Sequence, residues 1–145
     1  MSGGAAPLDI ETRAGRVVVD PADVVHFAHG LPGFEACRRF VVVAPPDIAP
    51  FTWLHGLDAP APSFLAVDPR RVLPDYDVAL GEADRARLGA APGDQLLWLA
   101  IVHVDDRDTT VNLRAPVVIH PARMTGLQVV AADMAYATDF GLAEA

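Results

Sequence analysis

Gln95-Leu96-Leu97-Trp98-Leu99-Ala100-Ile101-Val102-His103-Val104 is the longest and most apolar run of the chain. It reads as a strand at the centre of a sheet. Asp105-Asp106-Arg107-Asp108 turns it into Thr109-Thr110-Val111-Asn112-Leu113, and strands at 116–119 and 127–130 follow. Upstream the pattern repeats. Leu8 to Thr12 alternates apolar and polar residues, Ala14-Gly15 turns the chain, and Arg16 to Val19 returns as a hairpin. Val24 to Phe27, Phe40 to Val43, Phe51 to Leu54 and Ser63 to Val67 are further strands, each closed by Pro, Gly or Asp. One segment differs. Glu82 to Leu88 holds strong helix formers, with acids first and arginines last, between Gly81 and Gly89.

Many short strands with one short helix near residues 82–88 predict an all-β fold, a small antiparallel barrel or sandwich. The chain has 145 residues, enough for one domain with a single core. Residues 1–7 read as a disordered N-terminal tail, 8–137 as one β-domain and 138–145 as a C-terminal tail. The net charge is −8, and all eleven basic residues are arginine. A negative surface repels phosphate backbones, so direct nucleic-acid binding is not expected; a basic protein would be steered in. Cys37 is the only cysteine, which rules out an intrachain disulfide and points to a reducing compartment. The first residues lack the pattern of a signal peptide, and no run reaches the ~18 apolar residues of a membrane span. A cytoplasmic location without membrane association is expected.

Few residues here carry chemistry. His26 and His29 have a spacing that could suit a metal, but residues three apart on a strand face opposite ways. Only the following turn could join them to a third histidine, as a small metal-dependent β-barrel enzyme would require. Asp105 to Asp108 lacks the glycine and glutamate of a calcium loop. No nucleophile elbow, phosphate loop or dinucleotide fingerprint occurs. The reading is a non-enzyme without cofactor or metal.

What remains is a set of apolar turns stiffened by Pro and Gly. In Phe27-Ala28-His29-Gly30-Leu31-Pro32-Gly33-Phe34-Glu35 the glycines permit positive φ and Pro32 fixes its own. Such a turn either plugs the end of a core or is offered to a partner. The others are Trp53 to Pro60, Leu73 to Asp77 and Asn112 to Pro116. In this order the turns resemble the flagellar assembly factor FliW family. The residues that carry the likeness are Phe27-x-x-Gly30-Leu31-Pro32-Gly33-Phe34-Glu35, Trp53-Leu54-x-x-Leu57-Asp58-x-Pro60, Asp68-Pro69 and Pro74-Asp75-Tyr76. Thr110-Val111-Asn112-Leu113-x-Ala115-Pro116, Gln128 and Tyr136 complete it. Ala28 and His120 stand where the family has proline and asparagine, and the tail from Thr138 lacks a basic ending.

The resemblance implies a β-barrel-like binding protein with two partners. One is the translational regulator CsrA, whose repression of flagellin messenger RNA it relieves; the other is flagellin, which captures the factor and frees the regulator. Leu31, Phe34 and Glu35 of the first turn, with Asn112 and Arg114 of the last, are the candidate partner contacts. Phe27 and Trp53 are expected in the core.

Overall fold

Strand β7, Leu97–Val104, is bordered by three other strands, and that sharing closes the fold. The computed structural model describes residues 6–13, 15–133 and 135–142. Upstream of β7 lie β1 (Leu8–Thr12), β2 (Gly15–Val19), β3 (Val25–His26), β4 (Arg39–Val43), β5 (Thr52–Gly56) and β6 (Ser63–Val67). Downstream are β8 (Thr109–Val111), β9 (Val117–His120), β10 (Thr125–Gln128) and β11 (Phe140–Gly141). Helices α1 (Pro69–Val72) and α2 (Glu82–Leu88) connect β6 to β7.

One edge of β7 pairs with β6. The other edge is divided. Leu97–Leu99 pair with β9, and Val102–Val104 pair with β8. Following neighbours from β7 through β6, β5, β4, β3, β10 and β9 returns to β7, so seven of the described strands form a closed barrel. Every pairing in it is antiparallel except β3 with β10, which is parallel and rests on Thr125 opposite His26. The barrel reading holds, with this one parallel contact added.

Alternation along each strand sorts side chains to the two faces of the wall. Phe40, Leu54, Ala66, Leu99, Val117 and Ile119 point inward and form the barrel core. Many outward residues are buried too, because other elements cover them. Trp98 and Val118 lie with Leu88 of α2; Val67, Ala100, Val102 and Val111 lie with Val72 of α1 and Tyr76. Val41 packs with Val19 of the β1–β2 hairpin, which forms its own two-stranded sheet. A wall covered on both faces explains why its strands are continuously apolar.

The helix boundaries follow local chemistry. Asp68 accepts a hydrogen bond from the Arg70 amide at 2.9 Å and Pro69 takes the first helical position, which starts α1. In α2 Gly89 adopts φ 70°, with Ala90 N–H donating to Arg85 O and Gly89 N–H to Ala86 O. That pair of bonds is a Schellman motif.

Three sequence readings shift. The last predicted strand moves to Thr125–Gln128, because Pro116, opposite Val129, accepts its amide but has no N–H to return the bond, and Val130 is exposed. Phe140 and Gly141 pair with Val111 and Thr110 of β8, so the sheet runs past the boundary expected at residue 137. Trp53 is only partly buried, on the outward face of β5, while Phe27 lies in the core as expected. Ala14 of the hairpin turn, residues 1–5 of the N-terminal tail and residues 143–145 lie outside the described residues.

Candidate functional site

The corner from Phe27 to Arg38 is two linked turns built on glycine. Gly30 N–H donates to Phe27 O at 3.0 Å, with Gly30 at φ 62°. Phe34 N–H then donates to Leu31 O at 2.7 Å, closing a turn with Pro32 and Gly33 at its centre. Gly33 has φ 85°, so this is a type II turn, for which Pro then Gly is the preferred pair. Gly30 is irreplaceable for a second reason: a Cβ there would stand 2.7 Å from Phe34 O. Glu35 accepts a hydrogen bond from Gly33 N–H at 3.0 Å and so ties down the same turn. That backbone hydrogen bond holds its carboxyl below the usual carboxylate range.

The corner is anchored to its neighbours by packing and by one carboxylate. Phe27 is 1 % exposed, with its ring edge-on to Phe40 at 4.9 Å. Gly126 of β10 lies against it, so closely that a Cβ would meet the Phe27 ring at 2.5 Å. Asp58, from the Trp53 turn, accepts from the Arg38 and Arg39 amides, both at 3.0 Å. It also accepts from the Arg39 guanidinium at 3.0 and 2.8 Å, a two-pronged contact. The Arg39 side chain holds the Asp58 carboxyl below its ordinary value, with the Arg38 amide helping. Two sequence motifs far apart in the chain therefore meet at one carboxylate.

Asn112 organises the split edge of β7. Its amide donates to Ile101 O at 2.9 Å, between the parts of β7 taken by β8 and by β9. Its side-chain oxygen accepts from the Arg114 and Ala115 amides at 3.1 and 3.0 Å. This Asx turn moves the chain from β8 across to β9. Gln128 donates to Ala115 O at 2.9 Å, and Tyr76 donates to Leu113 O at 2.7 Å. Burial pushes the Tyr76 phenol up to about 12.

The candidate contacts thus fall into two groups. Leu31, Phe34 and Glu35 share the corner. Leu31 is 2 % exposed and belongs to the barrel core; Phe34 is half-buried against Phe64 at 5.3 Å; Glu35 is exposed. Asn112 and Arg114 are half-buried in the other turn, where Arg114 Nε donates to Tyr136 O at 2.9 Å.

Beside the corner runs a groove of about 730 Å³. One side is His26, His29, Pro32 and Glu35; the other is Gly126, Leu127, Gln128 and Val130, with Arg38 and Arg87 also lining it. The sequence reading picked out Phe27 to Glu35 but not Arg38, Arg87 or Val130, which come from three separate stretches of chain. His26 and His29 do lie in one groove. No three His, Cys, Asp or Glu side chains among the described residues converge as a metal site would need. The remaining histidines sit apart: His55 Nδ1 is 2.6 Å from Ser63 Oγ, and burial pushes its imidazole pKa down. His120 Nδ1 accepts from the Arg123 amide, leaving Nε2 to donate to Asp94 at 2.8 Å.

Known proteins place this architecture. The family model described as FliW protein matches residues 9–142. A flagellar assembly factor FliW from Geobacter sulfurreducens is 34 % identical over 129 residues, covering 88 % of this chain and 80 % of its own. One from Syntrophotalea carbinolica is 38 % identical over 130 residues, covering 89 % and 93 % respectively. A crystal structure of the flagellar assembly factor FliW superposes with a TM-score of 0.84 at 28 % identity, over 94 % of this chain and 96 % of that one. The ordered turns, the closed barrel and these matches agree, and the chain belongs to the FliW protein family.

Proposed function

We propose that this protein is a flagellar assembly factor that works by binding, without catalysis. It sequesters the translational regulator CsrA, so that flagellin messenger RNA is translated, and it gives the regulator up when flagellin accumulates and takes its place. The observation that carries this reading is the net charge of −8 on a chain of the FliW family. A regulator that grips RNA needs basic residues for the phosphates, and an acidic protein attracts that same surface. The relatives are named as assembly factors rather than enzymes, which supports a binding role. No helix among the described residues is long and apolar enough to cross a membrane.

Charge governs how fast such partners meet, and apolar anchors govern how long they stay together. Mixing the purified protein with CsrA at about 0.05 M salt should give one joint peak in gel filtration. Its affinity should fall by about tenfold or more towards 0.5 M salt, as screening shortens the reach of the charges. Separate peaks at low salt would refute the regulator as partner.

A further inference from the structure

The groove beside the corner differs from the rest of the molecule in two independent ways. The first is its backbone. Strand β10 pairs along its whole length with β9, but β3 touches it only through His26 opposite Thr125. His26 N–H donates to Met124 O, while Val129 N–H on the other side donates to Pro116 O. Strand alternation therefore turns the backbone groups of Gly126 and Gln128 towards β3. Past His26 the chain turns into the corner at Ala28 and His29, before a second residue can pair with β10. Among the described residues no strand lies beside Gln128 on that side, and the groove opens there. It is an open strand edge facing a cavity.

The second difference is charge. The chain carries −8, yet the groove is lined by Arg38, Arg87, His26 and His29 against one carboxylate, Glu35. That carboxylate is already engaged by Gly33 N–H. Arg87 lies 3.8 Å from Asp84 on its own helix, and among the described residues the Arg38 side chain is in no ion pair. Val130, 73 % exposed, gives the rim an apolar surface.

We propose that this groove is a peptide-docking site, taking an extended, carboxylate-bearing segment of a partner protein as an added strand on the free edge of β10. Backbone bonds to Gln128 hold the strand, and its acidic side chains meet Arg38 and Arg87. The site is opposite in sign to the acidic surface invoked for the regulator and stands independently of that reading. A nucleic-acid strand shares the negative charge but has no use for an open β-edge.

The test uses a fluorescein-labelled peptide of about ten residues, alternating glutamate and valine, enough for one strand. Its lysine–valine counterpart and a single-stranded oligonucleotide serve as comparisons. Anisotropy at low salt should show saturable binding of the acidic peptide, about tenfold or more tighter than the lysine peptide. Arg38→Glu with Arg87→Glu should abolish it, while Arg107→Glu, in the exposed β7–β8 turn, should not. In the unaltered protein the Gln128 amide should exchange more slowly once the peptide is bound. Absence of saturable binding, equal binding of the two peptides, or an unchanged Gln128 amide in the complex would overturn the proposal. Oligonucleotide binding as tight as that of the acidic peptide would also overturn it, and would mark a phosphate site instead.

Discussion

Replacing Phe27 with alanine should lower the unfolding free energy by about 3–5 kcal/mol, as for other buried phenylalanines. The ring is 1 % exposed, meets Phe40 edge-on at 4.9 Å and fills the space left by the missing side chain of Gly126. Truncation loses the burial of the ring and leaves a cavity where β3 meets β10. That seam has little else to hold it, since the two strands share one residue pair. Domains of this size are stable by only about 5–15 kcal/mol, so the loss is a large share of the total. Urea unfolding followed by tryptophan fluorescence measures it, and the melting temperature should fall on the order of 10 °C. A change below about 1 kcal/mol would mean that the seam does not depend on the ring.

Leu31→Asp should be more damaging still. Leu31 is 2 % exposed in the barrel core, beside residues such as Val25, Phe27 and Phe40. Removing a buried leucine costs about 2–5 kcal/mol, and an unpaired carboxylate in the same place adds its own desolvation. Most of the stability is lost, and circular dichroism should show a chain that is largely unfolded or melts far below the parent. Leu31→Met keeps the volume and should cost less than about 1.5 kcal/mol. The pair separates scaffold from contact. Binding that fails with Leu31→Asp in step with folding, and survives Leu31→Met, identifies Leu31 as scaffold. Lost binding at an unchanged melting temperature would identify it as a contact and contradict its place in the core.

The corner was legible because its chemistry is local. Pro32-Gly33 is the preferred central pair of a type II turn, and at Gly30, with φ 62°, a Cβ would stand 2.7 Å from a carbonyl oxygen. Strands β4 to β8 and helix α2 were legible for the same reason, each being a run of one residue class between breakers. Closure of the barrel was not, because β3 with β10 and β7 with β9 join distant segments through backbone bonds that leave no local pattern. Phe140-Gly141 is too short to show alternation, and α1 too short to show a helical stripe. Trp53 misled because aromatic content signals a strand without saying which face is covered. The groove was hidden for a further reason: Arg38, Arg87 and Val130 belong to three stretches of chain that only the closed barrel brings together.

The corner therefore serves folding first. Phe27 and Leu31 belong to the barrel, Gly30 and Gly33 allow the turns, and Asp58 clamps the exit to the neighbouring turn. Of its candidate contacts, Phe34 and Glu35 retain surface. Binding in the proposed scheme rests on surfaces this scaffold holds in place, as loops on a rigid β-framework commonly do.

Exchange between the two proposed partners is read in a competition experiment. A preformed complex of this protein with CsrA is titrated with flagellin while free regulator is followed by its binding to labelled flagellin messenger RNA. RNA binding should be absent at the start and return in proportion to added flagellin, as the factor passes to its second proposed partner. RNA binding that stays absent with flagellin in excess would contradict the exchange.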